Sequence, residues 1–212
     1  MHQPPLAELL VASGNPHKLD EIRAVLGALG VRVLGLGDLG REFPEPEEDE
    51  ATFAGNARLK AIAYARMTGR ACLADDSGLE VDALGGEPGV RSARYAGIGA
   101  NRAERDAANN ALLLERLRPI PPAKRTARFV CAMCLATPTG EILAETRGEF
   151  PGLITDHPRG SNGFGYDPLL FLPEEGRTSA ELSPEEKNAR SHRGQATRRM
   201  LAALRERGFV AS

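Results

Sequence analysis

Two adjacent carboxylates, Asp75 and Asp76, follow the apolar run Ala71-Cys72-Leu73-Ala74 and precede Ser77-Gly78. Such a pair, placed where a buried strand meets a glycine turn, suggests a metal site. Strand side chains alternate between faces, so neighbouring aspartates point apart unless the backbone turns between them, and glycine permits that turn. Like charges held together repel, and a hard dication with oxygen ligands is the usual way to offset the repulsion. The plain alternative is a solvated Asx turn closing a strand.

A second constellation, Ser13-Gly14-Asn15-Pro16-His17-Lys18, lies between an apolar run and a helical pattern. A small turn lets backbone N–H groups approach an anion, Pro16 suits the first helical turn, and the helix N-terminus adds partial positive charge. Lys18 would set an ammonium beside that anion, although the glycine spacing and the Gly-Lys-Ser/Thr ending of a Walker A loop are absent. Ordinary helix capping by Asn15 is the alternative, and His17 reads as a surface residue. Between Glu42 and Glu50 the chain is densely acidic. Most of these acids read as a solvated face, with one or two able to reach a metal. Thr52 then reads as a helix N-cap, and Asn56 and Lys60, one turn apart, share a face where a phosphate could be held.

Further on, Gly160-Ser161-Asn162-Gly163-Phe164-Gly165-Tyr166-Asp167-Pro168 sets two aromatics and a carboxylate on a glycine frame. An aromatic there can stack on a base, and an aspartate can accept a hydrogen bond from a ring N–H. The alternative is a turn with Phe164 tucked into the core. Lys187, His192 and Arg193 are ordinary residues taken singly.

The elements that must position these residues follow from periodicity. A strand is expected over about 6–12 and a helix over 16–29, with Leu19, Ile22, Leu26 and Leu29 as its apolar stripe. A strand at 31–36, a helix at 52–67 and a strand at 71–74 come next, then a helix at 101–117 burying Ala108, Leu112, Leu113 and Leu117. Residues 128–137 and 141–150 flank Pro138-Thr139-Gly140 as a β-hairpin, a short helix starts near Ser183, and a closing helix spans about 193–207. This order predicts an α/β fold: a mixed central β-sheet flanked by helices, one domain over 1–212, with two lobes and an active-site cleft between them.

The chain has 212 residues and a formal net charge of -2, which argues against a duplex-binding surface and hence against a nucleic-acid partner. No apolar run approaches bilayer-spanning length, so no membrane partner is expected. The start Met1-His2-Gln3-Pro4-Pro5 lacks signal-peptide character, and three cysteines give no disulfide framework. A cytoplasmic location is expected. Cys131 and Cys134 form C-x-x-C, but three residues apart on a strand they face opposite sides and read as core.

Taken together and in order, the motifs resemble the inosine triphosphate pyrophosphatase family. They comprise Ser13-Gly14-Asn15 with Lys18, Thr52-Phe53 with Asn56-Ala57 and Lys60-Ala61, and Ala74-Asp75-Asp76-Ser77-Gly78-Leu79. They continue through Ala83-Leu84-Gly85-Gly86 with Pro88-Gly89, Ser92 to Gly97, Gly163 to Pro168, and Ser191-His192-Arg193-Gly194. The resemblance implies a Mg²⁺-dependent hydrolase that converts deaminated purine nucleoside triphosphates such as dITP, ITP and XTP to the monophosphate and pyrophosphate. It also implies a homodimer.

Residue by residue, Asp76 matches the proton acceptor and a metal ligand, and Glu47 the other magnesium ligand. Ser13, Gly14, Asn15, Pro16, His17 and Lys18 match the phosphate-contacting segment, with Ser77 and Lys60 as further substrate contacts. Phe164, Gly165, Tyr166, Asp167, Lys187, His192 and Arg193 match the nucleotide and base pocket, with Asp167 accepting from the purine N1–H. Two departures stand out: Ser13 where threonine is commoner, and Glu47-Glu48-Asp49-Glu50-Ala51 in place of Glu-Glu-Thr-Gly, which leaves open which acid meets the metal. The rival readings are a metal-dependent phosphohydrolase of other specificity and a non-catalytic nucleotide-binding regulator.

Overall fold

A computed structural model describes residues 8–27 and 31–209. Leu9, Leu10, Val11 and Ala12 form an unbroken buried run within strand β1 (Glu8–Ala12), the pattern of a strand covered on both faces. Helix α1 (Pro16–Gly27) begins at a proline, whose missing N–H is harmless in the first turn, and buries Ile22, Val25 and Leu26. Strand β2 (Arg32–Gly35) follows. Helix α2 (Phe53–Thr68) is capped by Thr52, whose hydroxyl accepts the Gly55 N–H at 3.0 Å. Leu6 of the expected first strand and Leu29 of the expected stripe lie outside the described residues.

Strand β3 (Cys72–Val81) overturns one expectation. The sequence predicts a strand ending at Ala74 and a turn at Ser77-Gly78, whereas the strand runs straight through both aspartates and Gly78. Gly78 does not have a positive φ. Its lack of a side chain serves close packing: a Cβ there would lie 2.2 Å from the Ser92 hydroxyl and 2.8 Å from the Gly89 carbonyl oxygen.

The second half holds helix α3 (Arg102–Leu117), strands β4 (Thr126–Ala136) and β5 (Ile142–Ile154), and short strands β6 (Leu170–Leu172) and β7 (Arg177–Thr178). Helices α4 (Pro184–Arg190) and α5 (His192–Glu206) close the described chain. In α3 the expected core positions Ala108 and Leu112 are half-buried, and Asn109 is buried beside Leu113 and Leu117. Its amide is satisfied, accepting the Ala96 N–H at 2.8 Å and donating to the Ser92 carbonyl at 3.2 Å, which is what allows a polar residue there.

The seven strands form one sheet in the order β2-β1-β3-β4-β5-β6-β7. β1 runs parallel to β2 and β3, with Leu10 opposite Leu34 and Cys72, and β6 is antiparallel to β5 and β7. The mixed α/β sheet expected from the sequence is the one observed.

The chain divides into two compact units. The first takes the described residues of Met1–Asp76, Cys131–Gly148 and His192–Ser212, and the second takes Ser77–Val130 and Glu149–Ser191. In the first, Ile22 and Leu26 of α1 pack with Val11, Leu73, Met133, and Met200 and Leu204 of α5. In the second, Leu113 and Leu117 of α3 pack with Leu79, Phe129, Phe150, Tyr166 and Leu170. Cys131 and Cys134 are buried free thiols on β4, and burial pushes the Cys134 thiol up to about 12, far from a reactive thiolate.

Candidate active site

Because β3 is extended, Asp75 and Asp76 project to opposite faces of the strand and enter separate clusters, both in the first unit. Asp75 meets α1 and α5. Its Oδ2 lies 3.0 Å from Lys18 Nζ and 3.5 Å from Arg193 Nε, and the Arg193 guanidinium also pairs closely with Glu21. Lys18 and Glu21 sit three residues apart on α1 and so present their charges on one face. Asp75 and Arg193 side chains are each 1% exposed. Burial alone would raise the Asp75 pKa, but Lys18, Arg193 and Lys60 outweigh it and hold the carboxyl well below the usual carboxylate range.

Asp76 meets α2 and the acidic loop. Asn56 donates to its Oδ2 at 3.0 Å, and Asn56 Oδ1 accepts the Glu50 N–H at 3.1 Å, which ties the loop to the strand. Lys60 Nζ lies 3.6 Å from Asp76 Oδ1 and donates to Glu48 at 2.6 Å. The pair Asn56 and Lys60, one turn apart, thus converges on one carboxylate. Burial raises the Asp76 pKa; Lys60 and Lys18 pull it down, Glu48 adds to the rise, and the Asn56 hydrogen bond opposes it. For Lys60, burial favours the neutral amine, yet Asp76, Asp75 and Glu48 outweigh burial and raise its pKa. Asp76 and Glu48, around one ammonium, form a hard oxygen donor set suited to a divalent cation. Glu47 is exposed and Glu48 half-buried.

The turn at Ser13 carries the Asn15 capping contact that the sequence offers as its alternative reading. The Ser13 hydroxyl accepts the Asn15 N–H at 3.2 Å, and Asn15 Oδ1 accepts the His17 N–H at 3.1 Å, satisfying one of the first donors of α1. Gly14, Pro16 and His17 are exposed, while Ser13, Asn15 and Lys18 are half-buried. His192 is buried at the start of α5, next to Arg193.

The second unit holds the glycine-framed loop, with Ser77 half-buried elsewhere in that unit. Asp167 is buried and its oxygens are engaged: Oδ2 takes Lys187 Nζ at 2.6 Å and the Phe164 N–H at 2.8 Å, while Oδ1 accepts the Ser179 hydroxyl at 2.7 Å. Asp167 thereby organises its own loop. Tyr166 is buried, its hydroxyl donating to the Ser92 carbonyl at 2.9 Å, and burial pushes its pKa up. The Phe164 ring has the Arg102 guanidinium 4.6 Å and the Lys187 ammonium 5.0 Å from its centroid. Glu21, Ser179 and Arg102 are not singled out by any motif of the sequence. Only Glu21 left a local signal, its three-residue spacing from Lys18.

The fold and site define an α/β protein with two lysine–carboxylate clusters gathered about one strand of a mixed sheet. The chain belongs to the Ham1 family, whose family model matches residues 9–203. It is 52% identical over 197 residues to the dITP/XTP pyrophosphatase of Exiguobacterium sibiricum, covering 93% of this chain and 96% of that one. The Geobacter sulfurreducens protein of the same name is 51% identical over 201 residues, covering 95% and 96%. The solved structure of a HAM1 protein from Coxiella burnetii superposes with a TM-score of 0.83 at 40% identity, covering 95% of this chain and 100% of that one. The family expected from the motifs is the one these matches show.

Proposed function

We propose that this protein hydrolyses deaminated purine nucleoside triphosphates such as dITP, ITP and XTP to the nucleoside monophosphate and pyrophosphate, with Mg²⁺ as cofactor. The observation that carries the reading is the Asp76–Lys60–Glu48 cluster beside the Lys18 turn, in a chain half identical to dITP/XTP pyrophosphatases. Among the described residues no three His, Cys, Asp or Glu side chains form a metal cage. Mg²⁺ does not need one, because it is commonly held by one or two carboxylates together with substrate phosphates. Asp76 and an acid of the 47–48 pair fit that habit: burial, with Glu48 adding to it, raises the Asp76 pKa, and a cation would offset that cost of the charged form. When bound, Mg²⁺ supplies Lewis acidity at the phosphate oxygens.

The chain's own residues do the rest. Asp76 orients and deprotonates the water that attacks the α-phosphorus in line with the departing pyrophosphate. Lys18, Lys60 and the N–H groups at the start of α1 stabilise charge on the triphosphate. Phe164 offers a stacking face for the base, and the Lys187–Asp167 pair the polar chemistry at its edge. Hypoxanthine and xanthine carry O6 and a protonated N1, whereas adenine carries an amino group and a bare N1. Buried groups matched to the former are left unpaired by adenine, a penalty on the order of thousands-fold. A cytoplasmic homodimer completes the reading.

The test is incubation with Mg²⁺ and, separately, dITP, XTP, dATP and dGTP, with pyrophosphate and inorganic phosphate measured in each. Pyrophosphate from dITP and XTP, with little from the other two, is the expected result. Phosphate release points to a different phosphohydrolase, and no turnover to a binding protein.

A further inference from the structure

We propose that Arg102, Asp106 and Asn110 of α3 are positioning residues that set base selectivity by clamping the Phe164 loop. This rests on the reading that Phe164 takes the purine. The three residues recur every four positions, so they share one face of the helix. Asp106 Oδ2 accepts the Gly165 N–H at 3.0 Å, and Asn110 Nδ2 donates to the Gly165 carbonyl at 3.1 Å. One helix therefore takes both backbone hydrogen-bonding groups of the residue after Phe164, and Arg102 covers the ring itself. Arg102 Nε also lies 3.7 Å from Asp106 Oδ2, which links the ring contact to the backbone contact.

The loop needs such a clamp. Gly163 and Gly165 flank Phe164 with φ of 76° and 62°, and glycines at both hinges leave many conformations open once outside contacts are removed. Asp167 pins the loop from one side through the Phe164 N–H, and α3 pins it from the other through Gly165. A purine stacked on a fixed ring presents its polar edge in one register, whereas a ring free to swing lets adenine and hypoxanthine settle alike. None of the three α3 residues belongs to the phosphate or metal cluster, so loosening the clamp acts on KM and on base choice more than on kcat.

The experiment is steady-state pyrophosphate release from dITP and dATP by the wild type and by Asp106→Ala, Asp106→Asn and Phe164→Ala. Asp106→Ala should raise the dITP KM and lower the dITP-to-dATP ratio of kcat/KM, each by about tenfold, the scale of one lost hydrogen bond to a charged group. Its kcat for dITP should stay within about threefold. Asp106→Asn keeps an acceptor for the Gly165 N–H and should keep the ratio. Should Asp106→Ala fail to fold, Arg102→Ala, whose side chain is 37% exposed, carries the same test. An unchanged ratio, an equal loss on both substrates, or an Asn variant as poor as the Ala variant overturns the clamp. A wild-type ratio near one, or an unchanged ratio in Phe164→Ala, overturns the base reading and the clamp with it. A ratio lowered in Phe164→Ala but kept in Asp106→Ala overturns the clamp alone.

Discussion

Replacing Asp75 with Asn removes one charge from the most buried ionic cluster of the first unit while keeping the shape of the side chain. Asp75 Oδ2 alone faces Lys18 at 3.0 Å, Arg193 Nε and Nη2 at 3.5 Å each, and the Cys131 thiol at 3.8 Å. After the change, Arg193, 1% exposed, loses the Asp75 charge while keeping Glu21, and Lys18, 15% exposed, loses the carboxylate it pairs with here. Removing one partner of a buried ion pair costs about 3–5 kcal/mol. The retained Glu21 and the amide oxygen of Asn place this case near the lower end, at about 3 kcal/mol, or about 6–12 °C in Tm for a chain of this size.

Urea denaturation and thermal melts at pH 7 measure the loss, and a pH series tests its origin. The Asp75 carboxyl is held below its ordinary value in the fold, so its contribution is fully present above the unfolded pKa, about 3.9. That contribution is lost as pH falls through the folded value. The gap between wild type and variant should therefore be constant near neutrality and narrow from about pH 4 downward. A gap below about 1 kcal/mol at pH 7, or one that widens in acid, refutes the account.

Asp76→Asn should lower turnover on the order of 10²–10⁴-fold without lowering the melting temperature. Asp76 is raised in the fold, so its charged form loses stability as pH rises through the folded value, and the neutral amide escapes that loss at pH 7; near-wild-type pyrophosphate release would end its assignment as base. Gly78→Ala forces a Cβ to within 2.2 Å of the Ser92 hydroxyl, which already accepts the Leu79 N–H and donates to Gly89. It should cost about 1–3 kcal/mol by chemical denaturation, and wild-type stability would contradict the packing described. Treatment with a chelator should abolish pyrophosphate release from dITP and added Mg²⁺ should restore it, whereas full activity in the metal-free protein would remove the cation from the reading.

Local chemistry is legible along the chain because it depends on neighbours. Leu9 to Ala12 announce a strand by being apolar without interruption, Thr52 announces a helix start, and Asn56 and Lys60 share a face because four residues make about one turn. The ordered motifs from Ser13 to Arg193 carried the family as well. The strand through Asp75 and Asp76 is hidden from the sequence for the same local reason: glycine after two acids is turn chemistry, and the close approach of Ser92 that favours glycine in the strand comes from a residue 13 positions beyond Leu79, whose N–H it binds.

What only the tertiary structure decided is the division of labour between the two aspartates. Alternation along an extended strand sends them to opposite faces, and which face carries which partner depends on helices that arrive from distant parts of the chain. Arg193 joins Asp75 across 118 positions and Glu21 across 172, and Asp167 gathers Ser179 and Lys187 from beyond its own loop. No periodicity encodes such pairings, because they are selected by the sheet order and by the desolvation cost of leaving any of these buried charges alone.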